Sequence, residues 1–331
     1  MVPTIRYGKM PNDGYVGATV LDAQKGAYYR PITALDFASL YPSIMRAHNL
    51  CYSTLVLDPK YDNLPGVTYE SFEIPVPDKG LVTYKFAQDV PALLPSILKE
   101  LSDYRKQAKK DMKDFPDLYE VFNGKQLAYK ISSNSVYGFT GAMKGILPCV
   151  PIASTVTTRG RQMIEETKEY VEAHFPGAKV RYGDTDSVMV EFDTTGMSVE
   201  DALEHSWKLG EQAAEQCTKL FKKPNDLELE KVYYPYFLYS KKRYAAKLWT
   251  KGKDNKMHMD YIDIKGLQVV RRDGIKYTRD VCKELFDVIL ESNNPEAAKQ
   301  LAIQRATELI DGSVPMEKLI LSQKLAGSYK G

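Results

Sequence analysis

The chain has 331 residues, enough for a sizeable core and roughly two domains, and its 45 basic residues nearly cancel 43 acidic ones. A net charge of +2 offers no bulk attraction for nucleic acid, so any such surface must come from local clustering. The 44% hydrophobic and 27% charged content is that of a soluble globular protein, no stretch approaches the ~18 apolar residues of a membrane span, and four well-separated cysteines argue against a disulfide framework or a zinc site.

Residues 1–30 read as turn-rich, with Pro11-Asn12-Asp13-Gly14 and Lys25-Gly26 as breakers. Pro31-Ile32-Thr33-Ala34-Leu35-Asp36-Phe37 is an apolar run short enough for a buried strand, ending at Asp36. Tyr41-Pro42-Ser43 opens a short helix through His48, and residues 52–57 and 67–87 read as strands. Leu94-Pro95-Ser96-Ile97 starts a helix that continues through Lys113, with Pro95 in its first turn. Asp114-Phe115-Pro116-Asp117 breaks it, and a second helix runs from about Leu118 to Val136 and stops near Gly138. So short a connection predicts an antiparallel helical hairpin.

An amphipathic stretch covers about 153–174, and Lys179–Tyr182 and Ser187–Phe192 read as strands around the turn Gly183-Asp184-Thr185-Asp186. Residues 198–221 read as helix and Leu227–Leu248 mainly as strand. From about 274 to 311 the chain reads as helical, thinning out at Ala326-Gly327-Ser328. There is no internal repeat.

Three constellations carry chemistry. Asp184 and Asp186 straddle one residue of a hairpin turn and can point to one side, and Asp36 meets them if its strand is a neighbour. An isolated Asp-x-Asp is usually only a polar turn, but three carboxylates brought together by apolar strands repel unless cations sit between them. Mg²⁺ takes one or two carboxylates plus phosphates, and two such ions about 3.5–4 Å apart suit an in-line displacement. On the helical hairpin, Arg105 and Lys109 share one face, and Gln126, Lys130, Asn134 and Tyr137 form one stripe. Cationic and polar stripes that face each other suit a polyanion such as a triphosphate. Finally, Lys241-Lys242-Arg243-Tyr244, then Lys247, Lys251 and Lys253, then Lys265-Gly266 and Arg271-Arg272 interleave basic residues with Tyr, Trp and Gly, as a surface tracking a phosphate backbone would.

Asp36-Phe37-Ala38-Ser39-Leu40-Tyr41-Pro42-Ser43 resembles motif A of family B DNA polymerases, and Lys130-Ile131-Ser132-Ser133-Asn134-Ser135-Val136-Tyr137-Gly138 their motif B. Tyr182-Gly183-Asp184-Thr185-Asp186-Ser187 is similar to motif C, and Lys241-Lys242-Arg243-Tyr244 to the primer-contacting motif, all in the family's order. The surrounding sequence, including Phe139-Thr140-Gly141-Ala142 and Lys231-Val232-Tyr233-Tyr234-Pro235-Tyr236, resembles that of eukaryotic polymerase delta and its relatives in large DNA viruses.

The resemblance implies an α+β right-hand polymerase core: an antiparallel-sheet palm at residues 1–90 and 138–265, a two-helix fingers hairpin at 91–137, and the start of a truncated helical thumb at 266–331. It implies template-directed addition of dNMP from dNTPs to the primer 3′-hydroxyl of a primer–template DNA, with two Mg²⁺ ions. Asp36, the Phe37 position and Asp186 would hold the metals, with Asp184 as the accessory member of the catalytic set. Arg105, Lys109 and Lys130 would hold the triphosphate, and Asn134 would lie near the nucleotide. Ser39 and Leu40 would offer backbone amides, and Tyr41 would be the steric gate against a 2′-hydroxyl. Tyr137, Gly138, Lys241, Lys242, Arg243, Tyr244, Lys265, Arg271 and Arg272 would contact DNA.

The expected setting is a eukaryotic nucleus, or an infected cell if the chain is viral. The chain is expected to be a fragment lacking the 3′–5′ exonuclease, with a sliding clamp or accessory subunits met through absent parts. Other readings stay open on the residues alone. A reverse transcriptase usually pairs adjacent aspartates, and a nucleotidyl cyclase has no use for the Lys130–Tyr137 stripe. The third is a non-catalytic fragment that only binds nucleic acid or a partner.

Overall fold

A computed structural model describes residues 15–18, 20–76, 80–142, 145–271, 274–292 and 294–321. Arg272, the turn at Pro11–Gly14 and the thinning at Ala326-Gly327-Ser328 lie outside the described residues. In chain order the elements are β1 (Gly26–Tyr28), β2 (Ile32–Phe37), α1 (Leu40–Ala47), β3 (Tyr69–Val76), β4 (Gly80–Ala87), α2 (Leu93–Asp114), α3 (Tyr119–Gly141), α4 (Val150–His174), β5 (Lys179–Asp184), β6 (Ser187–Glu191), α5 (Val199–Thr218), β7 (Leu227–Ser240), β8 (Arg243–Lys251), β9 (Met257–Lys265), α6 (Lys276–Ser292) and α7 (Pro295–Ile310).

The main sheet is antiparallel, in the order β5-β6-β2-β7-β8-β9, with β1 pairing on β7. β2 sits near its centre and is apolar on both faces, which is why its sequence is a run rather than an alternation. Leu35 and Phe37 join one core cluster with Ile44, Ile152, Val156 and Ala213, residues of α1, α4 and α5. Ile32 and Ala34 join another, rich in tyrosine, with Tyr182, Tyr233, Tyr236 and Tyr244. α5 lies close on the sheet because Gly210 has no side chain: a Cβ there would meet Thr33 Cγ2 at 2.7 Å and Leu229 Cδ1 at 3.0 Å.

The helical hairpin forms as expected, α2 and α3 packing along each other across the break at Pro116. Two expectations need correction and two are refined. Residues 52–57 are not a strand: the chain turns there, Thr54 and Leu55 both donating to the Cys51 carbonyl, and Leu55 makes only an isolated bridge to Phe86. α3 does not stop at Gly138 but continues to Gly141, since one glycine weakens a helix without breaking it. The stretch 227–248 is mainly strand, as expected, but as a hairpin that reverses at Lys242, whose φ is 62°. A third strand, β9, follows it, hidden in the sequence by the charges of Met257–Lys265. Lastly, the stretch from 274 to 311 is helical as expected and is divided into two helices, the second capped by the Asn294 side chain, which accepts from Glu296 and Ala297 N–H groups.

On the sheet, α6 packs Phe286 and Leu290 against Ala245 and Leu267, with Phe237, Ile262 and Ile264 beside them. No helix among the described residues is long and apolar enough to cross a membrane.

Candidate active site

β2 ends with Asp36 and Phe37, and antiparallel pairing delivers the β5–β6 turn beside it. Asp36 sits opposite Ser187, and the Phe37 N–H donates to the Asp186 carbonyl at 2.8 Å. Thr185 is left-handed, with φ 46°, so the chain reverses between the two aspartates. The consequence is repulsion between Asp36 and Asp186. Burial, followed by Asp186 and Glu230, pushes the Asp36 carboxyl up to about 7. Burial also raises Asp186; Asp184 and Glu230 add to it, while Lys130 opposes it.

Asp184 has a different environment. Lys242 Nζ lies 2.6 and 2.9 Å from its two oxygens, and the Tyr182 and Thr185 hydroxyls donate to them at 3.3 and 3.1 Å. Asp36 and Asp186 thus repel each other, while the third carboxylate, Asp184, is paired with a lysine. Among the described residues no three His, Cys, Asp or Glu side chains form a complete metal cage. The donor set nevertheless fits a hard divalent cation of the kind bound by one or two carboxylates and completed by phosphate and water. Asp36 and Asp186, with the main chain of Phe37 beside them, are the groups that could hold one.

Sequence reasoning missed two further carboxylates. Glu228 pairs with Asp36 in register, and Glu230 is the extra residue of a β-bulge, because Leu35 opposes Leu229 while Ala34 opposes Lys231. The alternation Leu227-Glu228-Leu229-Glu230 was the available signal, but only the register shows which strand end it meets.

The hairpin of α2 and α3 turns cations toward these acids. Arg105 Nε reaches across it to Gln126 Oε1 at 3.3 Å. Burial and then Arg105 lower the Lys109 ammonium; Lys130 and Lys113 add to this, and Glu228 acts against it. Lys109 therefore senses both the other cations and the acidic strand. Lys130 and Asn134 are exposed on α3. Ser39 is left-handed, φ 52°, and precedes α1 without a side-chain cap, with no acid in that helix's first turn. The first amides of α1 are therefore available to an anion.

The Tyr41 ring lies 4.4 Å from that of Tyr137 at 45°. Burial, followed by the charge of Asp186, pushes the Tyr41 hydroxyl up to about 12, so it stays protonated. Gly138 faces open space, where a Cβ would meet nothing.

At the other side, Lys241 and Lys242 form the β7–β8 turn. Lys241 Nζ pairs with Asp22 at 2.8 Å and donates to the Val20 carbonyl at 2.9 Å. Gly266, at φ 62°, packs against that turn: a side chain there would run into the Lys242 carbonyl. Lys265 pairs with the buried Asp263 at 2.9 Å. Arg243 and Arg271 are exposed. Tyr244 corrects an expectation: its side chain is only 8% exposed, packed on Tyr233 and Tyr236, with its hydroxyl 3.4 Å from that of Tyr233. Strand alternation turns it into the core rather than toward a DNA surface.

The whole sequence, residues 1–331, matches DNA polymerase family B. It is 45% identical to the DNA polymerase of Paramecium bursaria Chlorella virus NY2A, over 96% of this chain and 35% of that protein. It is 44% identical to the DNA polymerase delta catalytic subunit of Oryza sativa subsp. japonica, over 98% of this chain and 29% of that one. It is 42% identical to the delta catalytic subunit of Candida albicans, over 94% and 30%. The matched region thus spans about a third of the length of these relatives.

Proposed function

This chain belongs to DNA polymerase family B, and from that membership we propose that it performs template-directed DNA synthesis, joining dNMP to a primer 3′-hydroxyl. The observation that carries the reading is the meeting of Asp36 and Asp186 in mutual repulsion, opposite the cationic hairpin that carries Lys109 and Lys130. In this reading the main sheet with α4 and α5 is the palm, α2 and α3 are the fingers, and α6 and α7 begin the thumb.

The bond that forms joins the primer 3′-oxygen to the α-phosphorus, and the bond that breaks releases pyrophosphate; the hydroxyl proton passes to solvent. Two Mg²⁺ ions, when bound, supply Lewis-acid stabilisation of the attacking and leaving oxygens. Asp36 and Asp186 hold that charge at the strand ends. Arg105, Lys109 and Lys130 offset the charge on the triphosphate, and the amides of Ser39 and Leu40 bind its oxygens at the start of α1. Asn134 lies along the same helix face, beside the nucleotide. Tyr41 faces the sugar and collides with a 2′-hydroxyl.

Lys242 bridges Asp184 to the primer, and Lys241, Arg243, Lys265, Arg271 and Arg272 follow its backbone, with Tyr137 and Gly138 at the minor-groove side of the new pair. The relatives point to replication in a eukaryotic nucleus or in an infected cell.

The test is extension of a labelled primer–template with four dNTPs and Mg²⁺, beside an rNTP control. Templated addition of dNTPs with rejection of rNTPs is expected. Equal use of both by a folded chain contradicts the role given to Tyr41.

A further inference from the structure

Tyr15 belongs to no strand or helix, yet it reaches the centre of the site. Its hydroxyl lies 3.3 Å from that of Tyr137, and the Tyr137 ring in turn rests on Tyr41 at 4.4 Å. Gly141, one turn beyond Tyr137 on α3, makes the space: a side chain there would run into the Tyr15 hydroxyl. Two tyrosines from distant parts of the chain therefore line up behind Tyr41, the sugar gate.

An irregular segment holds such a position only if its backbone is tied down, and Arg161 of α4 ties it. Its Nη1 donates to the Val16 carbonyl at 2.8 Å and to the Gly17 carbonyl at 2.5 Å, and its Nη2 to the Thr158 hydroxyl at 2.7 Å. The Thr157 hydroxyl adds a bond to the Val16 carbonyl at 2.8 Å. Further along, Leu21 N–H donates to the Gly183 carbonyl at 2.9 Å, so the same segment also flanks the catalytic turn. Burial weakens the Arg161 charge, while Tyr41, Glu165 and Tyr137 favour it. The guanidinium stays protonated. With its fork engaged by two backbone carbonyls and a hydroxyl, it acts as a clamp and not as a substrate contact.

We infer that Arg161 is a positioning residue for sugar selection: by clamping Val16 and Gly17 it fixes Tyr15 against Tyr137, and Tyr137 then backs the Tyr41 ring. The inference rests on reading Tyr41 as the gate. A ring excludes one extra oxygen only while it cannot yield, and selectivity is a difference between two transition-state energies. Loosening the clamp should therefore relax discrimination more than it weakens nucleotide binding. Lysine is no substitute, because it lacks the planar fork that spans two acceptors.

The test compares dATP with ATP opposite template T, as kcat and KM separately, for the full chain and for Arg161→Lys, Tyr15→Phe and Tyr41→Ala. Equilibrium binding of the same nucleotides to a complex with a dideoxy-terminated primer gives a reading without chemistry. Tyr41→Ala is expected to relax selectivity most. Arg161→Lys and Tyr15→Phe should each relax it by about fivefold, equivalent to about 1 kcal/mol, mainly through a higher kcat/KM for ATP. The double variant should relax it little further, since the two residues act through one contact.

Tyr15→Phe removes a single hydroxyl, so it keeps the test open should Arg161→Lys fail to fold. Wild-type selectivity in Tyr15→Phe, or in folded Arg161→Lys, with relaxation in Tyr41→Ala, overturns the clamp. No relaxation in Tyr41→Ala removes the gate itself, and the clamp with it.

Discussion

At Asp36, burial of the carboxyl and the charges of Asp186 and Glu230 all act against ionisation, with Lys231 alone opposing them among the main influences. The apo protein therefore holds this pair against an unfavourable electrostatic term, whereas Asp184 gains from its ion pair with Lys242 at 2.6 Å. Function and stability should separate at this residue. Asp36→Asn removes the repulsion while keeping the shape, so in EDTA its melting temperature should equal or exceed that of the wild type. Its incorporation rate should fall by at least roughly a hundredfold, as when a preorganised electrostatic group is removed. Calorimetry and primer extension together check this, and a fall of several degrees in EDTA would show the carboxylate to be a structural support instead.

Among the elements, the hairpin of α2 and α3 brings Lys109 within the field of Glu228, and Lys130 within that of Asp186. Lys130→Ala removes one charge-assisted contact to the triphosphate, worth about 1.5–3 kcal/mol. A drop in kcat/KM for dNTPs of roughly 10- to 150-fold is expected, with primer–template affinity nearly unchanged. Single-turnover kinetics against nucleotide concentration would show it, and an equal loss of DNA affinity would place Lys130 on the DNA instead.

This hairpin was legible from Pro95, Pro116 and the helical spacing because its order is local. So were β2 and the turn at Asp184-Thr185-Asp186, whose residues need no distant partner to be recognised. What stayed hidden depends on register and on long-range contact. Glu228 and Glu230 matter only because a bulge sets them opposite Asp36, and Tyr15 only because Arg161, 146 positions away from it by the sequence numbering, holds its neighbours. Tyr244 was misread because the basic residues beside it hid the alternation that turns its ring inward.

For the molecule as a whole, a net charge of +2 provides no general attraction to DNA. In the proposed reading, affinity comes from the ridge formed by the β7–β8 turn and the end of β9, where Gly266 packs on Lys242. Binding should therefore weaken with salt in proportion to the few phosphates that the ridge neutralises. Lys241→Ala should lower the slope of log affinity against log salt by about 1, as read by fluorescence anisotropy on a primer–template. An unchanged slope would leave Lys241 to its contacts with Asp22 and the Val20 carbonyl.

The same sheet carries that ridge, the carboxylate pair and the Lys242–Asp184 link, so in the proposed reading one scaffold would fix primer, metal and nucleotide relative to one another. The most direct measurement is primer extension by Asp186→Ala beside the wild-type chain, with dNTPs and Mg²⁺, after both have been shown to be folded. Templated addition by the wild type and none by Asp186→Ala is the predicted result. Extension by Asp186→Ala at a rate near that of the wild type would contradict the account.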